Sequence, residues 1–252
     1  MLSQDLLKLY RINKLSDLGQ NFIFDRNFCK TILSYLPSNI EEKRICEIGP
    51  GVGIFTAALK ELNPRELLLF EKDVRLKPIL SEYTVQWGDY LKLEKPRSTI
   101  PTWVVGNLPF NVSTRILLQC LRDMHYKQGL NPEGCYFMFQ KEVAKRICAL
   151  VDDNNRGRLT FMSQIYSDVE YVKTVDKAVF SPMPKVDGAM VLFKKKKQSA
   201  TLPDFDEMSL FLRNLCRNPR KAVKLHSCMG KRIHQLNEDE VVDLFIKDRM
   251  LE

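Results

Sequence analysis

Four short stretches carry residue types that can do chemistry, and they come in a suggestive order. "EIGPGVG" (47–53) places Gly49, Gly51 and Gly53 between an apolar run and the amphipathic "IFTAAL". Glycines there let the backbone turn tightly and approach a ligand. Glu71 closes the next apolar run, 22 residues after Gly49. A carboxylate at that place can accept from two ribose hydroxyls. Asp89 in "WGD" can accept from an adenine amino group, and Asn107 opens "NLPF". Each residue alone is an ordinary cap or turn former. Together they deliver a glycine loop, two acids and an amide to one place.

The glycine loop narrows the ligand. G-x-G-x-x-G fails because residue 54 is Ile, and no lysine makes a phosphate-binding loop. E-x-G-x-G-x-G is the pattern of S-adenosylmethionine enzymes. "NLPF" then reads as a grip. Asn107 supplies an acceptor oxygen, the Pro109 carbonyl a second, and Phe110 a ring to stack on a base. Two acceptors can hold a planar amino group by both hydrogens and aim its lone pair at a methyl group. Methyl transfer is an in-line displacement in which positioning and desolvation dominate.

These residues need elements to hold them. "RICEIG" (44–49), "ELLLFE" (66–71), "TVQWGD" (84–89), "TWVVGN" (102–107) and "CYFMFQ" (135–140) read as strands. "GIFTAALKEL" and "TRILLQCLRDMH" have helical spacing. The alternation predicts an α/β fold with a Rossmann-like, mostly parallel sheet, whose ligands bind outside the carboxyl ends of the strands. "DVEYVKTVD" and "AMVLFKKK" lack a helix between them and predict an antiparallel strand pair ending the sheet. Residues beyond about 203 carry no strand runs and predict a small all-α domain. The expected division is a methyltransferase domain at 1–195, with an N-terminal helical segment, and a helical domain at 203–252; Lys194 to Pro203 form the linker.

The net charge is +8 and 44% of residues are hydrophobic, so a real core is expected and nucleic acid is the first candidate partner. No apolar run approaches the roughly 18 residues of a membrane helix, so no membrane association is expected. None of the seven cysteines forms a CxxC pair and the three histidines are scattered, so no metal site is readable. Reduced thiols in a reducing compartment are expected.

In order along the chain stand "GQNFIFD" (19–25), "EIGPGVG", "FEKD" (70–73), "GD" (88–89), "GNLPFNVST" (106–114), "FQKEVAKR" (139–146), "GRLTFMSQIY" (157–166) and "FSPMPKVD" (180–187). With these marks the chain resembles the small-subunit ribosomal RNA adenine dimethyltransferases over about residues 5–195. The resemblance implies roles. Asn21 and Ile23 would help close over S-adenosylmethionine, Gly49 would touch it through backbone, Glu71 would hold its ribose and Asp89 its adenine. Asn107 and the Pro109 carbonyl would hold the target amino group, with Phe110 and Phe180 sandwiching the base. The implied product is N6,N6-dimethyladenosine at two adjacent adenines in a hairpin near the 3′ end of the rRNA. "DLLKLYRINKLSDLGQNF", Phe110 and "FQKEVAKR" look like the mitochondrial members, also discussed as mitochondrial transcription factor B proteins. Mitochondrial localisation is therefore expected, with nucleolus or cytoplasm as the alternative.

Basic residues complete the expectation. Lys141, Arg146, Arg158 and Lys185, with Lys145 and Arg156, lie near the proposed active edge, and Arg217, Arg220 and Lys221 fall in a basic block of the small domain. They predict phosphate contact, which gives affinity with little sequence choice. The family's R-R-K run is replaced here by "RNPRKAVKLH". The expected partner is small-subunit rRNA or a pre-ribosomal small subunit, met by a monomer. Two other readings are a non-catalytic nucleic-acid-binding factor on the same scaffold and a large-subunit rRNA methyltransferase of the antibiotic-resistance type. The intact glycine loop and "NLPF" speak against the first, "FSPMPKVD" against the second.

Overall fold

The computed structural model describes residues 22–196, 202–217 and 231–250. Asn21, the expected N-terminal helix, Arg220 and Lys221 lie outside these residues. In chain order the elements are β1 (Phe22–Ile23), α1 (Arg26–Leu33), β2 (Arg44–Ile48), α2 (Ile54–Glu61), β3 (Glu66–Glu71), β4 (Thr84–Trp87), β5 (Thr102–Asn107), α3 (Ser113–Tyr126), β6 (Pro132–Gln140), α4 (Lys141–Ile147), α5 (Arg158–Tyr166), β7 (Ser167–Val175), β8 (Phe180–Ser181), β9 (Gly188–Lys195), α6 (Phe205–Arg217) and α7 (Glu238–Arg249).

Seven strands form one sheet in the order β4-β3-β2-β5-β6-β9-β7. β4 through β6 run parallel, and β9 and β7 add antiparallel at the far side. The central strands are buried on both faces, because successive side chains point to opposite sides. Cys46, Val104, Phe137 and Val191 pack on one side, under α3, α4 and α5. Ile45, Val105, Tyr136 and Met190 pack on the other, under α1 and α2. α1 is capped by Asp25, whose carboxylate accepts from the N–H groups of Asn27 and Phe28 at 2.8 and 3.0 Å.

The α/β class and the antiparallel end match the expectation. Three details differ. β6 starts at Pro132, three residues before the apolar run; a proline is tolerated at the first residue of a strand. β4 ends at Trp87, so Asp89 stands beyond the strand, after Gly88 in an extended positive-φ turn. Lys194 and Lys195 belong to β9 and not to a linker.

The C-terminal helices pack against the sheet's own helices. Phe205, Met208 and Leu212 of α6 and Val241 and Leu244 of α7 share one apolar cluster with Phe161 of α5 and Leu117 of α3. A buried clamp accompanies this packing. Arg156, only 5% exposed, donates to the carbonyls of Ala149 and Leu236 at 2.7 and 3.2 Å and to Gln164 Oε1 at 2.9 Å. It also pairs with the Glu238 carboxylate and lies over the Phe161 ring. Its expected place near an RNA-facing edge is thus corrected: this guanidinium is used inside. Removing one partner of such a buried set costs on the order of 3 kcal/mol. Arg156→Ala should therefore speed hydrogen exchange across α6 and α7 while β2 and β3 stay protected, read by mass spectrometry of the exchanging amides. Uniform exchange across the whole chain would refute a local clamp.

Candidate active site

β2, β3 and β5 end side by side, and their ends surround a cavity of about 210 Å³. The loop after β2 forms its floor. Gly49, Gly51 and Gly53 have φ of +70°, +56° and +80°, backbone that L side chains rarely adopt. At Gly51 space is also short: an added Cβ would sit 2.8 Å from the Phe22 ring. Gly53 then serves as N-cap of α2.

Glu71 holds this loop in place. Its Oε2 accepts from the Gly51 N–H at 3.2 Å and its Oε1 from the Asp73 N–H at 2.7 Å. A carboxylate has about four lone-pair sites, so capacity remains for hydroxyl donors from the cavity. The group is 4% exposed, and burial raises its pKa despite these N–H donors. Asp89 is more open. Burial pushes its pKa up, but the Leu91 N–H at 3.1 Å and Lys72 Nζ at 3.3 Å outweigh that and hold it below the usual carboxylate range.

The sequence pattern carries Glu47 as the acid of E-x-G-x-G-x-G without giving it a role and does not single out Phe22 or Gly106, and the structure brings all three to the site. Glu47 lines the cavity at 1% exposure and accepts from Thr56 Oγ1 at 2.6 Å. Burial, with nearby Glu71 adding to it, pushes its pKa up to about 8 against the Thr56 hydrogen bond. Its signal in the sequence is its place as the leading acid of E-x-G-x-G-x-G, set between the apolar Cys46 and Ile48. Phe22 in β1 forms a wall over the glycine loop. Gly106 lets β5 approach β2 closely, since a Cβ there would meet the Ile48 carbonyl at 2.7 Å. An isolated glycine inside a strand pattern is its trace in the sequence.

Asn107 closes β5 at the cavity wall, beside Leu108 and Pro109. Here one expectation is corrected. The Pro109 carbonyl accepts from the N–H groups of Val112 and Ser113, both at 3.1 Å, because α3 starts there and its first turn needs acceptors. Both lone pairs are thereby used. The carbonyl of Leu108 accepts no backbone N–H among the described residues. Phe110 is half-buried, and its carbonyl accepts from Ser113 Oγ at 3.1 Å.

Phe180 is a second correction. It pairs with Ile23 across the β1–β8 ladder and is 4% exposed, among Tyr136, Met138 and Val175. Its ring is core and presents no face to a base in this arrangement. Ile23, by contrast, lines the cavity. Among the basic positions, Arg146, Lys185 and Arg217 are exposed. Lys141 pairs with Asp187 at 3.3 Å. Arg158 donates to Ser209 Oγ at 2.8 Å, and burial, then Arg213, lowers its pKa, so it braces α6 more than it faces solvent.

The donor set fits S-adenosylmethionine. Glu71 has room for a diol, Asp89 for an amino group, and Gly51 has no Cβ to fill the floor. Glu47 is a buried carboxylate suited to a positively charged group. Among the described residues no cluster could hold a metal ion.

Comparison with known proteins agrees with the cofactor class. The family described as ribosomal RNA adenine dimethylase matches residues 11–250. The ribosomal RNA small subunit methyltransferase A of Listeria welshimeri is 35% identical over 209 residues, 77% of this chain and 68% of the relative. The mitochondrial dimethyladenosine transferase 1 of Drosophila melanogaster is 32% identical over 219 residues, 79% and 66%. The chain thus spans about two thirds of the length of these relatives. A dimethyladenosine transferase from Plasmodium falciparum has the same fold, with a TM-score of 0.76 over 91% of this chain and 98% of that one at 21% identity.

Glu47 gives the site a pH signature. A carboxyl raised from 4.5 to about 8 in the folded protein stabilises it fully below 4.5, and that contribution is lost as pH rises through 8. In the cofactor-free protein, the melting temperature should fall across this window. Glu47→Gln, which keeps the acceptor for Thr56, should flatten the fall. Thermal unfolding at a series of pH values reads it, and equal slopes for both proteins would show that Glu47 is already ionised when folded.

Proposed function

The chain belongs to the ribosomal RNA adenine dimethylase family and is an S-adenosylmethionine-dependent methyltransferase; we propose that it dimethylates N6 of two adjacent adenines in a hairpin near the 3′ end of small-subunit rRNA, in mitochondria. The observation that carries the adenine reading is Asn107 at the end of β5, in the cavity wall next to Leu108. The resemblance to the Drosophila protein supports the mitochondrial assignment, and the Listeria protein supports the small-subunit rRNA.

S-adenosylmethionine, when bound, supplies an electrophilic methyl group on a positively charged sulfur. The protein's part is positional. Glu71 takes the ribose hydroxyls and Asp89 the adenine amino group of the cofactor. Glu47 sits where a cationic group meets a carboxylate. The Asn107 side-chain oxygen and the Leu108 carbonyl accept the two hydrogens of the target amino group. That pair replaces the Asn107–Pro109 pair, since the Pro109 carbonyl is committed to α3. Holding both hydrogens fixes the nitrogen lone pair toward the methyl group. The nitrogen becomes acidic as its new bond forms, so a proton leaves along one of the N–H···O bonds toward solvent. No strong base has to act first. The target base must leave its stack to reach this wall, and the half-buried Phe110, next to Pro109, provides one stacking face. Exposed Arg146, Lys185 and Arg217 contribute phosphate contacts.

Two measurements test this reading. Asn107→Ala should lower methylation of a hairpin RNA about 100-fold or more, by analogy with loss of a single polar group that positions the reacting atoms. Its affinity for S-adenosylhomocysteine should stay within a few-fold, and a variant with near-normal turnover would remove Asn107 from the role. In cells lacking the protein, mass spectrometry should find dimethyladenosine missing from mitochondrial small-subunit rRNA. Loss from cytosolic rRNA alone would move the enzyme to another compartment.

A further inference from the structure

The segment 182–187, Pro-Met-Pro-Lys-Val-Asp, joins β8 to β9 and is pinned at both ends. On one side β8 pairs with β1, Phe22 opposite Ser181 and Ile23 opposite Phe180, and both β1 residues line the cofactor cavity. On the other, the Asp187 carbonyl accepts from the Lys141 N–H at 2.9 Å. The Asp187 carboxylate takes Lys141 Nζ and the Lys177 N–H, each at 3.3 Å. Pro182 and Pro184 fix φ on either side of Met183. A segment this constrained nevertheless leaves Met183 63% exposed and Val186 42% exposed.

Its position in the sheet matters. Asn107 pairs with Met138, Met138 with Met190, and Gln140 with Gly188. Two strand spacings therefore separate Asn107 from β9, roughly 10 Å across the sheet. The segment rises from the start of β9, at the same edge as the cavity. It presents a long, unbranched apolar side chain two residues from the exposed Lys185, and the backbone of the exposed Lys177 is bonded to its Asp187. Cations next to an apolar tip suit a surface that offers phosphates outside and stacked bases inside. Proteins that part base steps use such tips, methionine among them.

We propose that Met183 is the wedge that keeps the target adenine out of its stack, entering the space the base vacates while Asn107 and Leu108 hold its amino group. This rests on the adenine-methylating reading above. Phe180 cannot take the part, because its ring is buried in the core. Met183 is a positioning residue: it touches the neighbouring bases, not the reacting nitrogen.

The test uses the full chain with S-adenosylhomocysteine and a hairpin RNA carrying 2-aminopurine next to the target adenine. The fluorescent base brightens when its neighbour leaves the stack. Wild type should brighten on binding. Met183→Ala should lose most of that rise and lower kcat about ten-fold or more. Its affinity for S-adenosylhomocysteine and the salt slope of RNA binding should stay unchanged, which also shows that the variant is folded. Met183→Leu should restore both brightness and kcat. A Met183→Ala protein with wild-type brightening and kcat overturns the wedge. So does one that loses RNA affinity alone, which would mark a docking contact. If wild type methylates the parent hairpin in either case, the enzymatic reading stands without the wedge. If wild type neither methylates nor brightens that RNA, the enzymatic reading falls and the wedge with it.

Discussion

One buried carboxylate governs the geometry of the site. Glu71 ties the loop after β2 to the turn after β3 through the N–H groups of Gly51 and Asp73. Burying a carboxylate costs several kcal/mol, and each hydrogen bond to a charged group returns about 1.5–3 kcal/mol. For Glu71 burial outweighs the donors, so its pKa stays raised despite them. The folded protein therefore holds an acceptor that gains from further donors. Glu47 stands on the neighbouring strand, opposite Leu69 and so two residues short of Glu71 in register, with a hydroxyl partner in Thr56. A cavity with two desolvated carboxylates favours a ligand that brings hydroxyls and positive charge.

Glycine placement is what lets that carboxylate reach its partners. Gly51 must turn with positive φ to offer its N–H to Glu71, and it must lack a Cβ to pass under Phe22. Gly106 solves a different problem. Without it β5 could not run so near the Ile48 carbonyl, and Asn107 would stand farther from the cavity. The floor of the site and its catalytic wall thus depend on close backbone approach at two separate points.

Much of this can be read from the sequence because it is local. A glycine loop after an apolar run, and acids and an amide at the ends of successive runs, are facts about neighbours in the chain. The antiparallel pair β7 and β9 is equally plain, since no helix pattern separates the two runs. What cannot be read depends on neighbours in space. The Pro109 carbonyl reads as available in the sequence, yet α3 begins four residues later and its first turn uses that carbonyl. Phe180 reads as a stacking ring beside two prolines, yet pairing with Ile23 turns it into the core. Arg156 and Lys185 read alike as cations, but the first is a buried clamp and the second lies in solvent.

The two-residue ladder between β1 and β8 draws these threads together. Phe22 and Ile23 face the cofactor cavity, while β8 carries the segment that holds Met183. A displacement of β1 by a ligand in the cavity must move β8 or break the ladder, and the reverse holds for a ligand on the segment. Two residues per strand are too few to resist such a displacement by themselves. Their partners decide the outcome: Phe22 against Gly51 on one side, Phe180 among Tyr136 and Met138 on the other. Because both contacts are closely packed, the cofactor wall and the segment after β8 share one frame. Any coupling between a ligand in the cavity and one on that segment then has to be reciprocal in free energy, and this ladder is a direct hydrogen-bonded link between the two.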